Sequence, residues 1–86
     1  MGWNGIALTS ARLGDFKQAA EALERAKTID PANPSTHTNL GVLAASQQRW
    51  AEARAAWELA LQLNPKFPPA AQNLNTAGML SVETSP

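Results

Sequence analysis

Cysteine is absent from the 86 residues, which excludes disulfide staples, thiolate chemistry and a cysteine-ligated zinc site. That leaves the compartment open between cytoplasm and periplasm. No apolar run approaches the roughly 20 residues a helix needs to cross a bilayer. The N-terminus also lacks the charged-then-apolar layout of a secretory signal, so a soluble chain with no membrane partner is the expectation. Charge is sparse and balanced: seven basic and seven acidic residues give a formal net charge of +0, and no long-range field recruits nucleic acid or an anionic surface. A single histidine, His37, offers one imidazole with no further metal ligand evident beside it in sequence. No phosphate-cradling glycine loop or nucleophile motif occurs. Neither catalysis nor a cofactor is therefore expected.

What the chain does contain is a period. Pro31 and Pro65 stand 34 residues apart, and at that offset Trp3, Ala19, Leu23 and Ala26 fall on His37, Ala53, Trp57 and Ala60. Ile6 falls on Leu40, Phe16 on Trp50, Ile29 on Leu63, and Asp30-Pro31 on Asn64-Pro65. A fixed period of this length marks stacked repeats, not a globule around one private core. At 86 residues the chain makes one small domain of modest stability.

Each repeat reads as two helices. From Gly2 to Leu13 the apolar residues Trp3, Ile6, Leu8 and Leu13 keep helical spacing. Gly14 then accepts the left-handed conformation that ends a helix, and Asp15 caps the next with Gln18 as its capping-box partner. That second helix runs from about Asp15 to Ile29 and buries Phe16, Ala19, Ala20, Leu23, Ala26 and Ile29, with Glu21 and Arg25 as an exposed supporting pair. Asn33 and Pro34 open a third helix, to about Gln47. The break at Gln48-Arg49 has no glycine and is the weakest boundary. A fourth helix, about Trp50 to Leu63, buries Trp50, Ala53, Trp57, Ala60, Leu61 and Leu63. Pro68-Pro69 start a fifth, carrying Leu74, Ala77 and Met79 and fading near Leu80. Small residues at Ala7, Ala19, Ala26, Gly41, Ala53 and Ala60 let the paired helices approach, and Trp3, Leu23, Leu40 and Trp57 fill the spaces beside them.

These positions resemble the tetratricopeptide repeat pattern of tryptophan, leucine, glycine, tyrosine, alanine, phenylalanine, alanine and proline. Repeat one offers Trp3, Ile6, Ala7, Ser10, Ala19, Leu23, Ala26 and Pro31. Repeat two offers His37, Leu40, Gly41, Ala44, Ala53, Trp57, Ala60 and Pro65, and a truncated third unit offers Ala71, Leu74, Asn75 and Gly78. The resemblance implies an all-α fold of five helices, antiparallel helix-hairpin repeats stacked as a short right-handed solenoid of about two and a half repeats. The domain would cover residues 1–80, with repeat one at 1–33, repeat two at 34–67 and a terminal helix at 68–80, followed by a frayed tail at 81–86. Both tyrosine-type positions hold small residues, Ser10 and Ala44, so Trp57 is expected to fill that space. The first repeat begins at Met1 with no preceding cap, and a fragment of a larger protein is the expectation.

The resemblance also implies a role in protein binding. In this family the first helix of each repeat lines a concave groove, which places there Asn4, Gly5, Leu8 and Arg12, then Thr38, Asn39, Val42 and Ser46, then Gln72, Asn73, Thr76 and Leu80. Arg12 is the one full charge on these three helices. Asparagine amides both donate and accept, so Asn39 and Asn73 can hold the backbone of a peptide while Leu8 and Val42 meet its side chains. The plainer role for Asn39 is a bond to a neighbouring helix, and the plainer role for His37 is a packed structural imidazole. Some members of the family clamp a terminal carboxylate with basic residues. Here those positions hold Asn4, Pro69 and Asn73, a clamp asparagine position holds Leu8, and only Asn39 fits, so chaperone-tail binding of that kind is not expected. RNA-reading helical repeats need basic grooves, and this one has a single arginine and no tyrosine. The leading expectation is a scaffold or adaptor module with a protein or peptide partner and no nucleic acid. The alternative is a spacer that stacks on itself, as a homodimer, through its solenoid ends.

Overall fold

The structure, a computed structural model, describes residues 2–76. Five helices and no strands occur among them: α1 (Trp3–Arg12), α2 (Phe16–Ile29), α3 (Pro34–Ser46), α4 (Trp50–Leu63) and α5 (Pro68–Thr76). The expected continuation of the fifth helix through Ala77, Gly78, Met79 and Leu80, and the tail at 81–86, lie outside the described residues. α1 pairs with α2 and α3 with α4, while α3 also packs on α1, α2 and α5. The outcome is elongated, 41 × 25 × 18 Å, as stacking of hairpins along one axis requires.

Both hairpin turns have the same backbone geometry. After α1, the Asp15 N–H donates to Ser10 O at 2.8 Å and the Gly14 N–H to Ala11 O at 3.1 Å, around Gly14 at φ +83°. After α3, the Arg49 N–H donates to Ala44 O at 2.8 Å and the Gln48 N–H to Ala45 O at 2.9 Å, around Gln48 at φ 62°. These are the paired bonds of a helix end closed by one left-handed residue. The turn without glycine is thus made by forcing a glutamine into the conformation Gly14 adopts freely. Asp15 caps α2 by accepting the Gln18 N–H at 3.1 Å. Its own N–H is occupied by Ser10, which leaves no donor for the reciprocal half of a capping box. Asn33 caps α3 through the Ser35 N–H at 2.9 Å, with Pro34 at the first helical position.

The core consists of two adjoining clusters. Ala7, Ala19, Ala22, Leu23 and Leu43 form one, and Ala44, Ala53, Trp57, Ala60, Ala70 and Leu74 the other, so neighbouring residues of α3 join them. Alanine brings the helix backbones together, and Leu23, Leu43, Leu74 and Trp57 fill the remaining volume. Volume is exchanged between the repeats. Ala7 with Leu23 in the first becomes Gly41 with Trp57 in the second, and a Cβ added at Gly41 would lie 2.5 Å from Trp57 Cδ1 and 2.7 Å from Cε2. The larger ring thereby occupies the space that small residues at Gly41 and Ala44 leave open.

Three apolar expectations are corrected at the helix ends. Ile29 is 71% exposed, and Trp50 and Leu63, the first and last residues of α4, stand at 48% and 38%. Leu13 is more exposed still, as the residue that caps α1. A periodic stripe continues to the end of its helix, but the neighbouring element need not. Trp3 is also only partly covered, at 38%, and the Arg25 guanidinium lies 5.3 Å from its ring centroid. Arg25 therefore packs on an aromatic face in place of the expected pair with Glu21; the ion pairs among the described residues are Arg49–Glu52 and Arg54–Glu58. No helix among those residues is long and apolar enough to cross a membrane.

Candidate functional site

The first helix of each hairpin and α5 present equivalent positions at the 34-residue offset. Leu8, Val42 and Thr76 make one row, Gly5, Asn39 and Asn73 a second, Asn4, Thr38 and Gln72 a third, and Arg12 and Ser46 a fourth. The structure treats these rows differently. Thr38 is withdrawn from the surface: it is 4% exposed, its Oγ1 donates to Pro34 O at 2.9 Å, and its carbonyl accepts the Trp57 Nε1–H at 3.0 Å. The expectation that its side chain lines an open groove is corrected, because the Trp57 indole closes over that turn of α3.

A chain of polar side chains ties α1 to α3. Asn39 Nδ2 donates to Asn4 Oδ1 at 3.4 Å, and Asn4 Nδ2 donates to Thr36 Oγ1 at 3.1 Å, with Thr36 fully buried. Asn4 is thus spent on structure. Asn39 forms the helix-to-helix bond that was its plainer role, at a length that makes it weak, and its carbonyl oxygen makes no side-chain bond among the described residues. His37 is 7% exposed, with Nε2 2.8 Å from Pro31 O. A carbonyl only accepts, so Nε2 carries the proton. The imidazole locks the α2–α3 turn.

Between α3 and α5 the chain leaves an open cleft of about 410 Å³, lined by Val42, Ala45, Ser46, Trp50, Trp57, Asn73 and Thr76. It gathers four of the expected groove residues: Val42, Ser46, Asn73 and Thr76. It adds the two tryptophans of α4, which sequence reasoning had assigned to the buried stripe. A signal for Trp50 was available, since a helix-initial aromatic lies where coverage by the next element is least complete. Leu8, Arg12, Asn39 and Gln72 do not line the cleft. Leu8 is half-buried on α1, Gln72 is exposed on α5, and Arg12 is exposed in the last turn of α1, where a cation suits the helix dipole. The walls carry no charged side chain, and the Ser46 hydroxyl donates to Val42 O at 3.0 Å within its own helix.

A second hollow of about 420 Å³ lies on the other side, between α2 and α4, with Phe16, Leu40 and Leu43 as its floor and Lys17, Arg49 and Glu52 around it. Charges of both signs there are solvated, and Arg49 and Glu52 are 4.0 Å apart. Its rim selects no one sign of partner.

The model of the tetratricopeptide repeat family matches residues 11–77. No curated protein and no solved structure matches the chain.

Proposed function

The chain belongs to the tetratricopeptide repeat family, and from that premise we propose that it is a scaffold or adaptor module holding a segment of a partner protein on the concave face formed by α1, α3 and α5. Domains of this family generally mediate protein–protein interaction, and the repeat is a non-catalytic module. The observation that carries the reading is the neutral cleft between α3 and α5, with apolar walls and the Asn73 amide at its edge. Asn39, at the equivalent position of α3, adds a second amide. Apolar walls with a few placed polar groups are what a binding site needs to take side chains and orient a backbone. Three helices with one full charge among them imply binding that depends only mildly on salt.

The test is affinity capture from lysate with the wild-type chain and with an Asn39→Ala/Asn73→Ala pair shown by circular dichroism to be folded. A partner held by the first and lost by the second supports the groove. Equal capture by both, or steep salt dependence, sinks it.

One observation favours a second reading, self-association as a spacer element. Trp3 and Ile29 leave apolar surface uncovered on the α1–α2 side, at 38% and 71% exposure. Sedimentation velocity over a concentration series separates the two readings, because a strict monomer at high concentration removes this one.

A further inference from the structure

We infer that the partner segment is an extended peptide carrying an apolar and an acidic side chain three positions apart, the first seated in the cleft between α3 and α5 and the second paired with Arg12. This rests on the groove reading above and narrows it to a ligand class.

Two observations meet in it. The cleft is walled by Val42, Trp50 and Trp57 without any charge, so a charged side chain entering it would lose hydration with no compensating partner, whereas an aliphatic one gains by burial. Trp50 is 48% exposed although it is one of the largest apolar side chains, and a ligand side chain would cover it. The other observation is Arg12. It is exposed, is the sole full charge on α1, α3 and α5, and takes part in neither ion pair among the described residues. A cation standing alone on a neutral face gives that face one electrostatic preference, for an anion.

Spacing follows from the repeat. Arg12 and Ser46 are equivalent residues on adjacent helices, and Ser46 stands at the cleft wall. Packed helices lie about 8–10 Å apart, and an extended chain advances about 3.3 Å per residue. Three residues therefore span about one helix spacing, and the flexible Arg12 side chain takes up the difference. A helical segment advances only about 1.5 Å per residue, so the same three residues would fall well short. The spacing selects the extended form. Asn39 and Asn73 stand at equivalent positions of α3 and α5, available to the intervening backbone.

The experiment is an NMR titration of the isotope-labelled chain with capped peptides. The probes are acetyl-Ser-Glu-Asn-Ser-Leu-Asn-Ser-amide, the same peptide with Glu and Leu exchanged, and versions of each with Lys for Glu or Ser for Leu. The indole N–H signals of Trp50 and Trp57 report on the cleft. In at least one order, the Glu/Leu peptide should bind about three- to tenfold more tightly than its Lys/Leu version, the range expected for one solvent-exposed ion pair set against a repulsion. Replacing Leu by Ser should weaken it at least about tenfold. Arg12→Gln, a change at an exposed residue, should abolish the Glu-over-Lys preference and leave the Leu dependence intact.

Equal affinities for the Glu and Lys peptides overturn the inference, as does a shift pattern centred on Phe16, Leu40 and Glu52. If all peptides bind alike and Asn39→Ala/Asn73→Ala still abolishes binding, the ligand class fails while the groove reading survives. If no peptide moves any signal of α1, α3 or α5, both fail.

Discussion

Adding one methyl group at Gly41 is the sharpest test of how the two hairpins are packed. In a Gly41→Ala variant the new Cβ would lie 2.5–2.7 Å from ring atoms of Trp57, which is 4% exposed and belongs to the packed cluster with Ala44, Ala53 and Ala60, so the ring must shift from its packed position. Overpacking of that kind costs about 1–3 kcal/mol. Moving the ring also strains the Trp57 Nε1–H bond to Thr38 O, a neutral bond worth about 1 kcal/mol. Against this, alanine is the better helix former by about 1 kcal/mol. The net expectation is a loss of about 2 kcal/mol, which in a domain of this size lowers Tm by about 8–16 °C. Differential scanning calorimetry reads it directly. The control is Trp57→Phe, which removes the five-membered ring atoms that crowd Gly41. In that background Gly41→Ala should be neutral or stabilising, a coupling of about 2 kcal/mol in the double-mutant cycle. A Gly41→Ala protein that melts at or above the parent, or two substitutions whose effects simply add, refutes the account of close approach.

The left-handed turn residues make opposite predictions. Gln48→Gly should stabilise by about 0.5–1 kcal/mol, since relief of strain exceeds the added freedom of the unfolded chain, and Gly14→Ala should destabilise by about 1 kcal/mol. Urea midpoints moving the other way would contradict the shared turn geometry. Asn33→Ala removes the cap that accepts the Ser35 N–H and should lower stability by about 1 kcal/mol, most of it restored by Asn33→Ser. Arg25→Ala should change the emission of Trp3 while lowering stability by no more than about 1 kcal/mol, because the contact is exposed. An unaltered spectrum in a Trp50→Phe/Trp57→Phe background would show that the guanidinium does not rest on that ring.

Helix limits were legible wherever the chain carries an unambiguous stop. Asp30-Pro31 and Asn64-Pro65 end α2 and α4 at the residues expected, Ile29 and Leu63, and Asn33-Pro34 starts α3 where expected. The Gln48 turn was harder, because its left-handed residue is one whose chemistry does not advertise it. Periodicity tells which face of a helix is apolar, not how far the neighbouring helix extends, so Ile29, Trp50 and Leu63 were read as buried when they are not. The groove rows came from the repeat offset, which gives equivalence of position without equivalence of surroundings. Gln72 on α5 is open, whereas Thr38, its counterpart on α3, lies beneath a tryptophan with no equivalent beside α5 among the described residues. The cleft itself was not legible, since its volume depends on Trp57 lying over Gly41 while Trp50 remains uncovered.

α3 joins the two core clusters and touches every other helix, yet its sequence is a poor helix on its own: serine, threonine, asparagine, histidine and glycine recur where α2 and α4 have alanine, leucine, glutamate and arginine. Its order is conferred by its neighbours, and theirs depends on it. Binding on the α3 face is then thermodynamically linked to the folding of the whole array. Occupancy at ten times Kd adds about 1.4 kcal/mol against global opening. A ligand confined to the cleft between α3 and α5 should slow amide exchange in α2, which contributes no residue to its walls, and so announce itself where it makes no contact.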